Sequence, residues 1–193
     1  MYRFLRGVGR AIYFFRHWQV TGKENLPSSG GLVVAANHNS AWDPILLGCA
    51  LNREIYYMGK EELFRRPMGN WFFTQLHAFP VKRGTIDRRA IRKAIDILNS
   101  GQVLGIFPEG TRVEAGQTAE PQSGVALLAL KARVPVVPVG LRGSRAGDRP
   151  RAVIGKPICL NDYFEVKMNS ALLETISKQI MMEIDRLLQE LPT

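Results

Sequence analysis

Two short stretches carry side chains that could do chemistry together. In Asn37-His38-Asn39-Ser40-Ala41-Trp42-Asp43 an imidazole precedes a carboxylate by five positions, directly after the apolar run Leu32 to Ala36. In Phe107-Pro108-Glu109-Gly110-Thr111-Arg112 a carboxylate, a glycine and a guanidinium end a second apolar run that begins at Val103. A carboxylate that holds an imidazole in one tautomer turns it into a general base toward a hydroxyl. Glycine lets the backbone approach a ligand closely, and arginine grips a phosphate bidentately. Together these groups could draw a proton from the hydroxyl of a phosphorylated compound.

The first pair works only if the chain bends between its members. On a continuous helix an offset of five puts the two side chains about 140° apart, out of reach of each other. A turn from strand into helix lets Asp43 point back at the imidazole. The same residues also read as a helix N-cap, Asp43 before Pro44, beside an ordinary loop histidine. A metal site is not expected: His17, His38 and His77 are the only histidines, with no H-x-x-x-H or C-x-x-C spacing. No G-x-S-x-G motif marks a nucleophilic serine, although Ser40 lies close to His38 and stays open as an alternative. Gly105 and Gly110 have the first spacing of a nucleotide P-loop, but the Lys-Ser/Thr that should follow is absent. Lys82-Arg83-Gly84 and Lys60 place further cations at the ends of apolar runs.

The surrounding elements follow from hydrophobic period. Leu32–Ala36 reads as a buried strand and a helix starts near Pro44. Further strands are expected at Ile55–Met58, Phe79–Lys82, Val103–Phe107 and Arg151–Ile154, and one at Val136–Val139 is interrupted by Pro138. Residues 86–99 form an amphipathic helix ended by Ser100-Gly101, Val125–Ala132 a buried helix, and residues 171–189 a closing helix. Apolar strands alternating with helices predict a single α/β domain with a largely parallel or mixed sheet flanked by helices. Residues 2–18 form one more helix. Phe4, Leu5, Val8, Ala11, Ile12 and Phe15 share one arc, and Arg3, Arg6 and Arg10 the opposite one. That helix either docks on the domain or lies with its apolar face in a membrane surface, its arginines in solvent.

At 193 residues the chain can bury a real core, and 46% hydrophobic residues exclude a disordered protein. A net charge of +9 favours an anionic partner. No zinc finger, RRM or comparable signature points to nucleic acid, which is not an expected partner. No run of about 18 uncharged apolar residues could span a bilayer. Cys49 and Cys159 are expected to be buried thiols in a reducing cytoplasm.

Taken in order, the blocks resemble the glycerolipid acyltransferase family that includes bacterial 1-acylglycerol-3-phosphate (lysophosphatidate) acyltransferases. His38 through Asp43 matches the family's H-x-x-x-x-D motif, and Ala78-Phe79-Pro80-Val81-Lys82-Arg83-Gly84 its second block. Phe107 to Arg112 matches F-P-E-G-T-R without a substitution, and Val134 to Val139 the fourth block. His77 stands where glycine is often found, and Gln122 where a basic residue is frequent. The resemblance implies acyl transfer from a thioester to the free hydroxyl of lysophosphatidate, giving phosphatidate for phospholipid synthesis. His38 and Asp43 would be catalytic, and Arg83, Glu109, Gly110, Thr111, Arg112 and Lys60 would bind substrate. It implies no cofactor beyond acyl carrier protein or acyl-coenzyme A as co-substrate. The enzyme would lie on the cytoplasmic face of the cell membrane, an anionic surface, with residues 1–20 as membrane-associating helix and 21–193 as acyltransferase domain. The alternatives are an acyltransferase for another lysolipid or hydroxylated acceptor, and a non-catalytic basic lipid-binding protein.

Overall fold

The computed structural model describes residues 1–82, 84–111, 120–145 and 147–191. Arg83 and Arg112, two of the expected substrate-binding residues, lie outside them. Seven strands form one mixed sheet: β1 (Gln19–Thr21), β2 (Leu32–Ala36), β3 (Ile55–Lys60), β4 (Ala78–Val81), β5 (Val103–Ile106), β6 (Val136–Arg142) and β7 (Arg151–Ile154), in the order β1-β7-β6-β2-β5-β3-β4. Every neighbouring pair is parallel except β6–β7. Helices α1 (Tyr2–Phe15), α2 (Asp43–Ala50), α3 (Pro67–Gln75), α4 (Arg88–Asn99), α5 (Gly124–Ala132) and α6 (Ser170–Glu190) flank it.

Strand β2 is the centre of the molecule. All five of its residues are buried, because helices cover the sheet on both sides. Val34 and Ala36 pack with α1 and α2 residues such as Tyr13, Leu46 and Leu47, while Val33 and Ala35 pack with α4, α5 and α6 residues such as Ala94, Ala126 and Ile180. A strand buried on both faces must be apolar throughout, which is why it reads as a continuous run in the sequence. The helix after β2 therefore lies on one face and the helix after the adjacent β5 on the other. Where neighbouring parallel strands send their helices to opposite faces, a crevice opens beyond their carboxyl ends. His38 follows β2 and Glu109 follows β5, so both border that crevice.

Several expectations are corrected. Pro138 does not interrupt β6, which runs on to Arg142. The proline's missing N–H falls on the β7 side, where Ile154 is the last paired residue and Gly155 N–H donates to Pro138 O at 2.9 Å. Asp43 is not the N-cap of α2; Trp42 holds that position and the carboxylate turns away from the helix. Cys49 is buried but Cys159 is exposed. Its neighbour Ile158 bridges to Val136 and packs inward, so alternation turns Cys159 out. The edge strand β1 and helix α3 were not expected at all.

Helix α1 docks with the wrong face, judged by hydropathy. Tyr2, Gly9 and Tyr13 are its buried residues, and Gly9 lets α1 approach α2 so closely that a Cβ there would sit 2.7 Å from Cys49 Sγ. Arg10 lies on this docking side. Its guanidinium donates to Cys49 O (2.9 Å) and Leu51 O (2.8 Å), two carbonyls at the end of α2, and Arg6 donates to Arg53 O. The apolar arc is left outside: Phe4, Val8, Ile12 and Phe15 are exposed, Phe15 by 80%. Two of the three arginines expected in solvent are thus structural. Replacing Arg10 with Ala should cost about 1–3 kcal/mol in thermal unfolding, because two backbone carbonyls lose a charged donor. Arg3→Ala, on the exposed side, should stay within about 0.5 kcal/mol.

Candidate active site

The chain after β2 turns sharply and brings the two ends of the H-x-x-x-x-D motif together. His38 Nδ1 lies 3.1 Å from Asp43 Oδ2. The same oxygen accepts the backbone N–H groups of Asn39 (2.7 Å) and Ser40 (2.6 Å). Asp43 is only 2% exposed, and a buried carboxylate is tolerable only when its lone pairs are used. Its other oxygen, Oδ1, accepts the hydroxyl of Ser144, itself buried. With Asp43 on Nδ1, the imidazole's Nε2 is the nitrogen left for a substrate. Phe107 supports the ring from one side, with centroids 4.3 Å apart and planes 24° from parallel. Ser40, the alternative nucleophile, is buried, and its hydroxyl accepts Trp42 N–H.

The loop after β5 closes on this pair. Glu109 Oε2 accepts the backbone N–H of His38 at 2.9 Å, so the carboxylate braces the histidine's main chain. Burial pushes the Glu109 carboxyl above the usual carboxylate range, against the downward pull of that N–H and of the His38 imidazole. Gly110 follows with φ +70°, and a Cβ there would fall 2.1 Å from Gln122 Nε2. Gln122, whose own N–H donates to Pro108 O, packs its amide against the turn, and the left-handed backbone of Gly110 is what favours glycine there. Thr111 continues the same loop.

Of the expected site residues, the fold brings together His38, Asp43 and Glu109, with Gly110 and Thr111 beside them. Lys60 ends β3, which is separated from β2 by β5, and it is exposed. His77 explains its own departure from glycine. It adopts φ +58°, a left-handed conformation that favours glycine, and it is sandwiched between Tyr2 (4.5 Å) and Tyr56 (4.6 Å). It fastens the start of α1 to the turn after α3 rather than bordering the crevice at the strand ends.

Sequence reasoning missed three contributors. Asn37 exchanges both amide groups with the Leu141 backbone (2.7 and 2.9 Å), clamping β2 to β6 just before the histidine. Ser144 holds Asp43, and Arg145 donates to Asn39 O at 3.1 Å. The available signal was position: Ser144 lies two residues beyond the end of β6, a neighbour of β2. Ending that strand at Val139, three residues short of Arg142, concealed it.

Comparison with known proteins identifies the class. The sequence model of the family described as Acyltransferase matches residues 17–142, and the chain belongs to that family. Among its relatives, the protein of Bacillus subtilis (strain 168) named 1-acyl-sn-glycerol-3-phosphate acyltransferase is 31% identical over 202 residues, spanning 99% of this chain and 100% of that one. A protein of the same name from Streptococcus pneumoniae is 28% identical over 98% of this chain and 74% of its own. The crystal structure of the 1-acyl-sn-glycerophosphate (LPA) acyltransferase PlsC from Thermotoga maritima shares the fold, with a TM-score of 0.75 at 24% identity over 99% of this chain and 80% of that one.

Two outcomes check this geometry. Ser144→Ala should lower kcat roughly tenfold, the worth of about 1–2 kcal/mol of lost support for Asp43. The acidic limb of its pH–rate profile should shift, the acceptor KM should hold, and Ser144→Thr should restore the rate. Glu109→Gln keeps an acceptor for His38 N–H and removes a buried charge. Because the raised value makes the folded protein bind this proton more tightly than the unfolded chain, Glu109 favours folding at low pH and loses that benefit as pH rises through its titration. The variant should therefore melt above wild type at neutral pH, with the gap closing as pH falls; a gap that widens toward acid would contradict the assignment.

Proposed function

We propose that this acyltransferase moves a fatty acyl group from a thioester donor to the free hydroxyl of 1-acylglycerol-3-phosphate. The observation that carries the reading is the His38–Asp43 pair, 3.1 Å apart at the carboxyl end of β2, with Nε2 of the imidazole given no partner among the described residues. His38 Nε2 takes the proton from the acceptor hydroxyl, and the oxygen attacks the thioester carbonyl without an acyl-enzyme. Asp43 holds the imidazole through Nδ1–H and stabilises the imidazolium that forms. Collapse of the tetrahedral intermediate breaks the C–S bond, and the imidazolium returns its proton to the departing thiolate. The free thiol and the ester are the products. Arg83 and Arg112, in blocks that match the family, are the groups assigned to the acceptor's phosphate. Glu109, by bracing the His38 backbone, and Gly110, by its open turn, shape the place beside it.

The names of the relatives support lysophosphatidate as acceptor. An acceptor with a phosphate is also what two motif arginines favour over a neutral lysolipid. A lipid acceptor calls for contact with a membrane, and the outward apolar arc of α1 offers it. No helix among the described residues is long and apolar enough to cross a bilayer. Helix α3 adds Met68, Trp71 and Phe72, all exposed, and right-handed crossovers from β2 to β3 and from β3 to β4 put it on the same sheet face as α2. A surface of this kind lies in the lipid interface rather than spanning it.

His38→Ala should cut kcat by roughly 10²–10⁴ with little change in acceptor binding, measured with a labelled thioester and lysophosphatidate. Near-normal turnover in that variant would exclude the base assignment. In vesicle flotation, Phe4→Ser, Ile12→Ser and Phe15→Ser combined should release the protein, whereas Arg3→Ala alone should not. Retention of the triple variant on vesicles would exclude α1 as the lipid contact.

A further inference from the structure

The sheet face opposite α1 carries a surface that neither the His38–Asp43 pair nor the lipid contact uses. Between α4 and α5 runs an open groove of about 430 Å³. Its floor is apolar, made by Ile91 and Ile95 one helical turn apart on α4 and by Leu127 of α5, with Ile86 at the lip, 82% exposed. Its rim is cationic on both walls, Arg88 and Arg92 on α4 and Lys131 on α5. Among the described residues none of these three cations forms an ion pair. Arg89 and Lys93 add two more exposed cations to the α4 side, against two acids in that segment, Asp87 and Asp96.

We propose that this groove docks an acidic amphipathic helix of the carrier protein that presents the acyl thioester. The inference rests on the acyl-transfer reading above and names its donor. An apolar floor flanked on both sides by cations matches a helix whose apolar ridge is flanked by carboxylates, the helix-in-groove mode of recognition. Coenzyme A fits less well, since among the described residues no aromatic ring lines the groove to stack an adenine. A bilayer fits less well because a planar surface cannot fill a concave groove.

The groove also begins at the right end of the molecule. Asp87 caps α4 by accepting the N–H groups of Arg89 and Ala90 on Oδ1, and its Oδ2 accepts Lys82 N–H at 3.1 Å. That ties the start of α4 to the carboxyl end of β4, the end of the parallel strands where His38 stands. A pantetheine arm from a carrier seated there reaches the crevice over the strand ends. The lipid face remains free on the other side of the sheet.

The test is the variant R88E/R92E/K131E of this chain, assayed with one acyl chain on acyl carrier protein and on coenzyme A, with lysophosphatidate saturating. The KM for the carrier-bound donor should rise about tenfold or more while kinetics with acyl-coenzyme A stay at wild-type values. Wild-type KM for the carrier should also rise with salt, as screened charges steer it less well. If wild type uses only the carrier, that too supports the proposal, and the melting temperature then checks folding of the variant. Equal changes with both donors, no change with either, or a wild type that uses only coenzyme A would overturn it. So would loss of flotation with anionic vesicles at an unchanged carrier KM, which would assign the cations to lipid. Absence of transfer from either donor by wild type is a different failure, that of the acyl-transfer reading itself.

Discussion

The carboxylate of Asp43 is the constraint around which the crevice is built. It is buried at 2% exposure and takes hydrogen bonds from the His38 imidazole, the Asn39 and Ser40 backbone and the Ser144 hydroxyl. Burying a charge is unfavourable by several kcal/mol unless such donors replace water, and losing one leaves a deficit that packing cannot supply. The donors come from the end of β2, the turn into α2 and the loop after β6, so these segments must meet at one point. That meeting is what aims the imidazole. The loop after β6 is itself held: Arg145 reaches Asn39 O, and Arg16, just beyond α1, donates to Arg145 O and to Asp148 O. A helix that looks like an appendage in sequence is therefore joined, through Arg16, Arg145 and Asn39, to the carboxylate that holds His38.

The same economy explains the unusual polarity of α1. Two of its three arginines, Arg6 and Arg10, bond the backbone carbonyls of Arg53, Cys49 and Leu51, and its phenylalanines are left outside. In a protein surrounded only by water that arrangement exposes apolar area with no return. In the proposed function the return is access to a lipid acceptor, and the fold separates tasks by sheet face: lipid beside α1 and α3, donor beside α4 and α5, and chemistry at the strand ends between them.

Much of this was legible in the chain. The strands β2 and β5 announced themselves as unbroken apolar runs because both of their faces are covered, and α4 by its alternation of isoleucine with arginine. The turn that folds Asp43 back was foreseeable from the need to end a strand and begin a helix within five residues. The rest depended on features that hydropathy does not record. Arginine bonded to backbone carbonyls looks, in sequence, like arginine in solvent, and so the docking face of α1 was mistaken. Pro138 reads as a break until one sees that its missing N–H points where β7 has already left the ladder. Helix α3 buries no residue, and β1 is three residues long at an edge, so neither has the periodicity that reveals a core element. Ser144 has no motif around it; only the true length of β6 brings it to Asp43.

The central claim is that Asp43 locks His38 in the tautomer protonated on Nδ1, leaving Nε2 as the base. The direct measurement is nitrogen NMR of the imidazoles, with ¹⁵N-labelled histidine and assignment through His17→Gln and His77→Gln, since the chain has three histidines. The account predicts a neutral His38 with its proton on Nδ1, shifted to low field by the carboxylate and displaced in Asp43→Asn. A neutral His38 carrying its proton on Nε2, indifferent to that substitution, would contradict it.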